Sequence, residues 1–515
     1  MNRFIKHIIP LAAILLASLC TACGNSGNST VIVGPPPQPP AGTLSNASLK
    51  GQYAFLMTGT ELCGGLSSFF TRAGSFTADG NGHITGGLED VNVCTGFFTL
   101  QFTNSTYSIT ADGRGRLSLT NNTGTTNYSI TLSSAIQGVI GQIDVNSTAS
   151  GSFERQNTAA FSDAAINGGY VFDVAGINVS LNPESIIGRF NADGGRGINS
   201  GLFDSNEAGT ASNQQLFPTG AFYQLDTNGD GINFGRGTAN IAGQKFAFYI
   251  VDATRLKLLG TDFPAAFSGE AIAQQNITFT VASLNSGLAF LLGGSSSSGP
   301  IATAGRFTAD GAGNLSEIFL DENNNGVVTL LPSQGGTVTG TYTVDVNGLG
   351  GGTATWTDTR VGTFTFIFYL ISPTQAVFQE IDSQITSDGP FLSQTAGPIS
   401  VAGLAGDFAF VWSGVSTDEE DFVGQLKLTS ASGNNASGIM DFNEFGAGQQ
   451  FFNIQFGGPL IITAPGTGPN TLTLTTTFPS PTTFNFTAYA VDSNNVFLVG
   501  VDNDRVLAGS IVRQP

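Results

Sequence analysis

Short carboxylates and amides recur at fixed places in this chain, and the chemistry open to them is the binding of a hard cation. An Asp-x-Asn pair stands at Asp90/Asn92, Asp204/Asn206, Asp321/Asn323 and Asp441/Asn443. A later Asp follows in each case, at Asp144, Asp262, Asp382 and Asp502. Calcium takes its oxygen ligands from such groups. The plainer account is turn capping, because Asp and Asn are what turns select through Asx bonds. Asp226-Thr-Asn228-Gly-Asp230-Gly matches the start of a calcium loop, but Gly237 stands where an EF-hand carries its bidentate Glu. The same place is a plain hairpin elsewhere in the chain, so a turn is again the simpler reading.

Other chemistry is thinly supplied. Beyond the first 22 residues there is one histidine, His83, in the turn after Asp79-Gly80. Three of the four repeats have none, so no Ser-His-Asp or Cys-His arrangement and no histidine-based zinc site can be assembled there, and His83 reads as an exposed turn residue. Paired carboxylates could hydrolyse a glycosidic bond, but no pair lies among Trp and Tyr suited to stacking on sugars. The expectation is a protein that is not an enzyme, with no cofactor unless calcium. Cys63 and Cys94 are the only cysteines beyond Cys23, and in an exported protein they are expected to be bonded.

Those residues sit in a repeat. Ala73–Asn92 (AGSFTADGNGHITGGLEDVN) returns at 187–206 and at 304–323, and in worn form at 423–443. The period is about 120 residues. Seven residues after each late Asp comes a Gly (Gly151, Gly269, Gly389, Gly509), and each repeat closes on Gln156, Gln274, Gln394 or Gln514. The expected units are 46–156, 166–275, 284–394 and 404–515, folding separately with few contacts between them.

Composition sets the fold class. Gly supplies 69 of 515 residues and Phe 41, while only 11% are charged. This disfavours helices and suits strands and turns. Each repeat reads as about eight short strands joined by tight turns such as Asp79-Gly80, Asp112-Gly113, Asn228-Gly229 and Asn347-Gly348. The strands at 245–251, 363–371 and 483–491 are apolar on both faces. In an up-and-down meander the loops after strands one, three, five and seven share one rim. Asp-x-Asn, the late Asp, Cys63 and Cys94 would then all lie there. Four tandem antiparallel meander barrels are expected, with β-sandwiches as the alternative and a propeller as a weaker one. Gly51-Gln52-Tyr53, Gly168-Gly169-Tyr170 and Gly406-Asp407-Phe408 resemble the opening of the calycin group, the lipocalin- and avidin-like barrels. The Trp of that group's Gly-x-Trp is missing, so the resemblance implies a barrel and transfers no ligand-binding residue.

The ends and the charge point outward from the cell. Arg3 and Lys6 precede an apolar stretch, Ile8 to Leu19, and Thr21-Ala22 precede Cys23. This resembles a bacterial lipoprotein signal, which implies a lipid on Cys23 after removal of 1–22. Gly24, rather than Asp, resembles outer-membrane sorting. Residues 23–45 are Gly-, Ser- and Pro-rich, a tether composition. Formal net charge is −19, and −21 without Arg3 and Lys6. That sign repels nucleic acid. The sequence reading is a lipid-anchored envelope protein at the outer membrane or cell surface with a structural or adhesin-like role. Its partners would be the membrane and an envelope or extracellular macromolecule. The alternative is a small ligand or calcium held by the barrels.

Overall fold

The computed structural model describes residues 44–515, apart from 228–229, 396–398, 431–432, 434, 446–448, 464–466 and 478–479. The chain forms four antiparallel sheets of nine strands each, in sequence order. In the first repeat these are β1 (Lys50–Cys63), β2 (Leu66–Asp79), β3 (His83–Val93), β4 (Gly96–Gln101), β5 (Ser105–Ile109), β6 (Arg114–Asn121), β7 (Gly124–Ser134), β8 (Gln137–Asp144) and β9 (Ser147–Arg155). Eight of them close a barrel as a meander, with β9 returning beside β1. All-β tandem barrels are therefore the architecture.

The ninth strand was not anticipated. The far half of β3 pairs with β4, and its start pairs with β5. Strand β4 is thus a flap hung on the barrel wall rather than a stave. Sequence alone merges it with the meander, because Gly96–Gln101 reads as one more short strand after a turn. Repeat 3 closes as repeat 1 does, whereas repeat 4 closes through its fourth strand, Gln449–Gly458, which pairs at Phe456 and Gly457 with Asn470–Thr476. Repeat 2 closes more weakly, through an isolated bridge between Gly197 and Phe222. It differs again where a hairpin at Asn228-Gly229 was expected. Those two residues lie outside the described set, and a short helix, Asp230–Asn233, follows them.

Each barrel is filled by its own aromatics. Tyr53, Phe55, Phe76 and Phe153 meet in the first, and Trp356 and Trp412 are fully buried in the third and fourth. The cavity inside repeat 4, among Leu428, Leu472 and Leu498, measures only about 10 Å³, scarcely the space of one water. The Gly seven residues after each late Asp permits closure. A Cβ on Gly151, Gly269 or Gly509 would run into the backbone of the repeat's first strand, at Leu56, Asp173 or Val411.

The barrels are not independent beads. The outward faces of the first strands of one repeat pack on the β7 and β8 equivalents of the next. Ala54, Leu56, Ala73 and Leu88 meet Tyr249, Val251 and Leu259. Val171 and Ile187 meet Ile367, Tyr369 and Ile371. Ala289, Leu291 and Ala304 meet Tyr489, Val491 and Phe497. The fourth repeat then returns to the first, with Ala409, Val411 and Val423 against Val139. Head-to-tail interfaces of this type close a ring when the rotation allows, and here four do. This corrects the expectation of few contacts. It also explains strands apolar on both faces: in Gln244–Asp252, Phe246, Phe248 and Ile250 face the barrel core while Tyr249 and Val251 face the seam.

Candidate functional site: ring seams and axial pit

The repeated polar residues lie at the seams. Asn92, at the end of β3, points away from its own barrel. Its amide donates to the carbonyls of Gly260 and Ala265, each at 2.8 Å, and of Asp262 at 3.3 Å. These belong to the late-Asp turn of repeat 2. Asn206 donates likewise to Glu380 and Ile385 of repeat 3, each at 2.8 Å. Asn323 grips Gly500, Asp502 and Arg505 of repeat 4 at 2.9–3.0 Å. Asn443 completes the circuit on Asp144 and Ser147 of repeat 1, at 2.9 and 2.8 Å.

The partner Asp of each pair receives donors from across the seam. Asp90 accepts from Arg236 at 2.7 Å and from the Tyr249 hydroxyl at 2.8 Å. Asp204 accepts from Tyr369 at 2.6 Å and Asp321 from Tyr489 at 2.7 Å. Asp441 instead meets Arg116 at 3.1 Å.

The closing glutamines clamp the other end of each seam. Gln156 donates to Phe234 and Ile250, Gln274 to Leu349 and Leu370, and Gln394 to Thr467 and Ala490, all within 3.0 Å. Gln514 reaches the carbonyls of Asp112 at 2.9 Å and Leu132 at 2.7 Å, across 402 and 382 residues of chain. The repeat signature is therefore largely a seam signature.

This placement settles what the sequence left open about the Asp and Asn columns. Asp90, Asn92 and Asp144 do lie toward one rim of repeat 1, but they do not converge on a common point. Asn92 is spent on the turn that holds Asp262, and Asp144 accepts from Gln142. In repeat 2, Asp204 and Asn206 turn toward repeat 3, while Asp262 pairs with Lys245 at 3.0 Å. Asp226 is neutralised by Arg236 at 2.7 Å. Asn228 lies outside the described residues, as does the side chain of Asp230. An amide nitrogen occupies the nest of carbonyls where a cation would stand. Among the described residues, no three His, Cys, Asp or Glu side chains group so as to hold a metal. His83 is exposed and opens strand β3 rather than lying in the turn before it, 3.4 Å from Asp79.

The rim order is right for the cysteines. Cys63 ends β1, Cys94 follows β3, and the two are bonded with their Cα atoms 6.2 Å apart. Cys23 lies outside the described residues.

Sequence reasoning missed the charges buried in the seams. Lys257, on the β8 equivalent Arg255–Gly260, has no exposed surface, and it holds Glu154 of repeat 1 and Glu270 of its own repeat at 2.9 Å each. Arg255 adds contacts at 3.2 and 3.5 Å to the same two acids. Burial opposes the charge on Glu154, but Arg255 and Lys257 outweigh it and hold the carboxyl at about 2. Burial likewise disfavours charge on Lys257, and the two glutamates outweigh that and raise it. The legible signal was Arg-x-Lys on the face of a strand opposite Leu256 and Leu258, which fill the barrel.

Two other seams hold carboxyls with the opposite tendency. Asp173 of repeat 2 lies against Asp388 of repeat 3, and burial first, then mutual repulsion, raises Asp173 well above the usual range. Asp421 of repeat 4, beside Glu419, is pushed by burial up to about 7, although the Thr148 hydroxyl of repeat 1 donates to it at 2.8 Å.

The β7–β8 turns of all four repeats meet at one end of the ring. Between them lies an axial pit of about 830 Å³. Every repeat contributes to its lining, which includes Gln137, Arg255, Gln375 and Asn495 at equivalent places at the start of the β8 equivalents. Glu154 and Arg255 join the pit wall to the charged seam.

Comparison with known proteins adds a distant likeness. No protein-family model matches the chain, and no curated sequence does. Among solved structures it is similar to the isotype 1 transferrin-binding protein B from serogroup B Neisseria meningitidis. The identity is 9%, covering 67% of this chain and 75% of that one, with a TM-score of 0.20. It is also similar to intact Ap-TbpB with its N and C lobes, at 7% identity, covering 89% and 75%, with a TM-score of 0.17. Likeness at this level carries no inference about a partner.

The seams give a direct prediction. Asn443→Ala should leave the carbonyls of Asp144 and Ser147 buried and unpaired at the one seam with no peptide linker. The expected loss is about 2–3 kcal/mol, from typical costs of orphaned buried polar groups. Thermal unfolding of the variant against the parent reads this loss, and an unchanged midpoint would mean that the clasp is idle.

Proposed function

We propose that this is a non-enzymatic, exported, lipid-anchored protein that presents a rigid ring at the cell envelope for interaction with another envelope or extracellular macromolecule. The observation that carries the reading is the combination of packed barrel interiors with four clasped seams. Interiors filled by Tyr53, Phe55, Trp356 and Trp412 offer no chamber for a small ligand. A scaffold spends its residues on fixing the relative placement of its surfaces, and the Asn and Gln clasps do so at both ends of each seam. The anchor on Cys23 and the tether through residue 45 support the same role, since a ring held off a membrane needs both. The outer membrane or cell surface is the location this reading assigns.

The anchor is tested by Cys23→Ser, which should lose the diacylglycerol mass and move from the detergent phase to the aqueous phase in phase partitioning. The interaction role is tested with that soluble ring. Added to envelopes from cells lacking the protein, it should sediment with them saturably. A ring that stays wholly in the supernatant would remove the interaction reading while leaving the anchor result intact.

A further inference from the structure

The seam between repeats 2 and 3 lacks a group that the seam before it has. Between repeats 1 and 2, Arg236 bridges two carboxylates. Its Nε and Nη2 donate to the two oxygens of Asp90 at 2.7 and 3.0 Å, and its Nη1 donates to Asp226 at 2.7 Å. The hydroxyls of Tyr249 and Thr99 complete Asp90, at 2.8 and 2.5 Å. Each oxygen of that carboxylate thus accepts twice, which is its full capacity. Arginine at a seam Asp recurs between repeats 4 and 1, where Arg116 meets Asp441 at 3.1 Å.

Between repeats 2 and 3 the frame is the same and the guanidinium is gone. Arg236 lies opposite Tyr249 in the strand register, and Gly351 lies opposite Tyr369. The Asp226 amide donates to the Arg236 carbonyl at 3.0 Å, and the Asp345 amide donates to the Gly351 carbonyl at 2.8 Å. Asp204 therefore stands for Asp90, Asp345 for Asp226, and Gly351 for the arginine. In place of the arginine side chain is a cavity of about 260 Å³, whose walls include Asp204, Asp345, Gly351, Gly352, Ile367 and Tyr369.

The acceptors left in this cavity are those that the arginine fork uses one seam earlier. Asp204 accepts from the Tyr369 hydroxyl on one oxygen and from the Gln214 backbone amide on the other, each at 2.6 Å. One acceptor site on each oxygen remains, as on Asp90 without Arg236. Asp345 accepts from the Gln214 side chain at the long distance of 3.5 Å. A Cβ on Gly351 would lie 2.8 Å from the Asp345 Oδ2, so that carboxylate borders the vacated space directly. Among the described residues, no basic side chain lines the cavity. Burial pushes the carboxyls of Asp204 and Asp345 up, in keeping with a missing counter-charge. Ile367 and the two glycines offer an apolar path for methylenes. Asn213, Gln214 and Thr353 are exposed at the mouth, so entry is from outside the ring. The volume falls below the roughly 300–1,000 Å³ of sites for drug-sized molecules, which limits the occupant to one side chain or a small ligand. Two carboxylates with paired open acceptors select a planar fork of donors over the point charge of an ammonium. We propose that this cavity binds a guanidinium group, carried by a small guanidinium compound or by an arginine side chain of a partner polypeptide.

Isothermal titration calorimetry on the full chain with Cys23→Ser tests this. Nα-acetyl-arginine amide should bind saturably, and Nα-acetyl-lysine amide at equal ionic strength should bind about tenfold more weakly. Gly351→Arg supplies the side chain from within the strand, as Arg236 does. It should abolish the binding and raise the thermal midpoint. Asp345→Asn, with an unchanged near-ultraviolet spectrum, should weaken the binding about tenfold. Agmatine and a Gly-Gly-Arg-Gly-Gly peptide separate the two sources. Equal affinities support the small compound, and a peptide that binds about tenfold tighter supports the partner's arginine. No saturable heat with any guanidinium probe, equal affinity for the lysine analogue, or binding unchanged in Gly351→Arg would each overturn the proposal.

Discussion

Replacing Lys257 by methionine is expected to cost about 3–5 kcal/mol, because it strands two buried carboxylates that now share one ammonium. Glu154 and Glu270 each lie 2.9 Å from that nitrogen, and Arg255 alone would be left to answer both. The loss should appear as a lower midpoint in urea unfolding. Adding Glu270→Gln to the same chain should restore part of it by removing one of the stranded charges. Lys245→Met is the matched control. That lysine pairs with Asp262 at 3.0 Å but is largely exposed, so its removal should cost about 1 kcal/mol or less. Equal effects from the two lysines would show that burial at the seam does not set the energetics.

Stability should fall as pH rises through the neutral range. The folded chain holds the Asp421 carboxyl at about 7, above its unfolded value, chiefly by burial. A folded pKa raised above the unfolded one means that the native state binds the extra proton between the two values. Its contribution is therefore whole below about pH 4 and is lost as pH climbs to about 7, a change of about 4 kcal/mol. Asp173 and Asp388, also raised, act in the same direction at another seam. Other carboxyls run the opposite way: Glu154, held at about 2, loses its contribution only in strong acid. The expected profile peaks in mild acid and declines toward pH 8. Asp421→Asn should flatten the decline, as measured by thermal midpoints across pH. A parent protein more stable at pH 8 than at pH 5 would exclude the protonated seam.

The barrels were readable because their causes are local. Asp-Gly dipeptides turn, alternating Phe and Tyr face inward, and a Gly seven residues after each Asp allows strand closure. The same columns advertised the seams without explaining them. An Asn that caps its own turn and an Asn that grips a neighbour's turn are the same letter at the same spacing. That the last repeat returns to the first becomes visible only in the folded chain, where Gln514 reaches Leu132 and Asn443 grips Asp144. The strands apolar on both faces held the strongest unused hint, since a barrel stave needs only one such face. The flap β4 was invisible for a different reason. Its hydrogen bonds go to β3 alone, and no residue pattern distinguishes a stave from a hairpin laid outside one.

Three seams of the ring are crossed by a peptide bond, and the fourth, between repeats 4 and 1, is not. It nonetheless carries the same Asn and Gln clasps as the others. Covalent continuity therefore raises the effective concentration of neighbouring repeats but does not dictate the shape they adopt. Leu44, the first described residue, and Gln514 meet beside Gly113. Joining them and opening the chain at the 156–166 linker should give a circular permutant with the same ring. Its tether would leave from a different corner, since the corner is fixed by where the chain is cut.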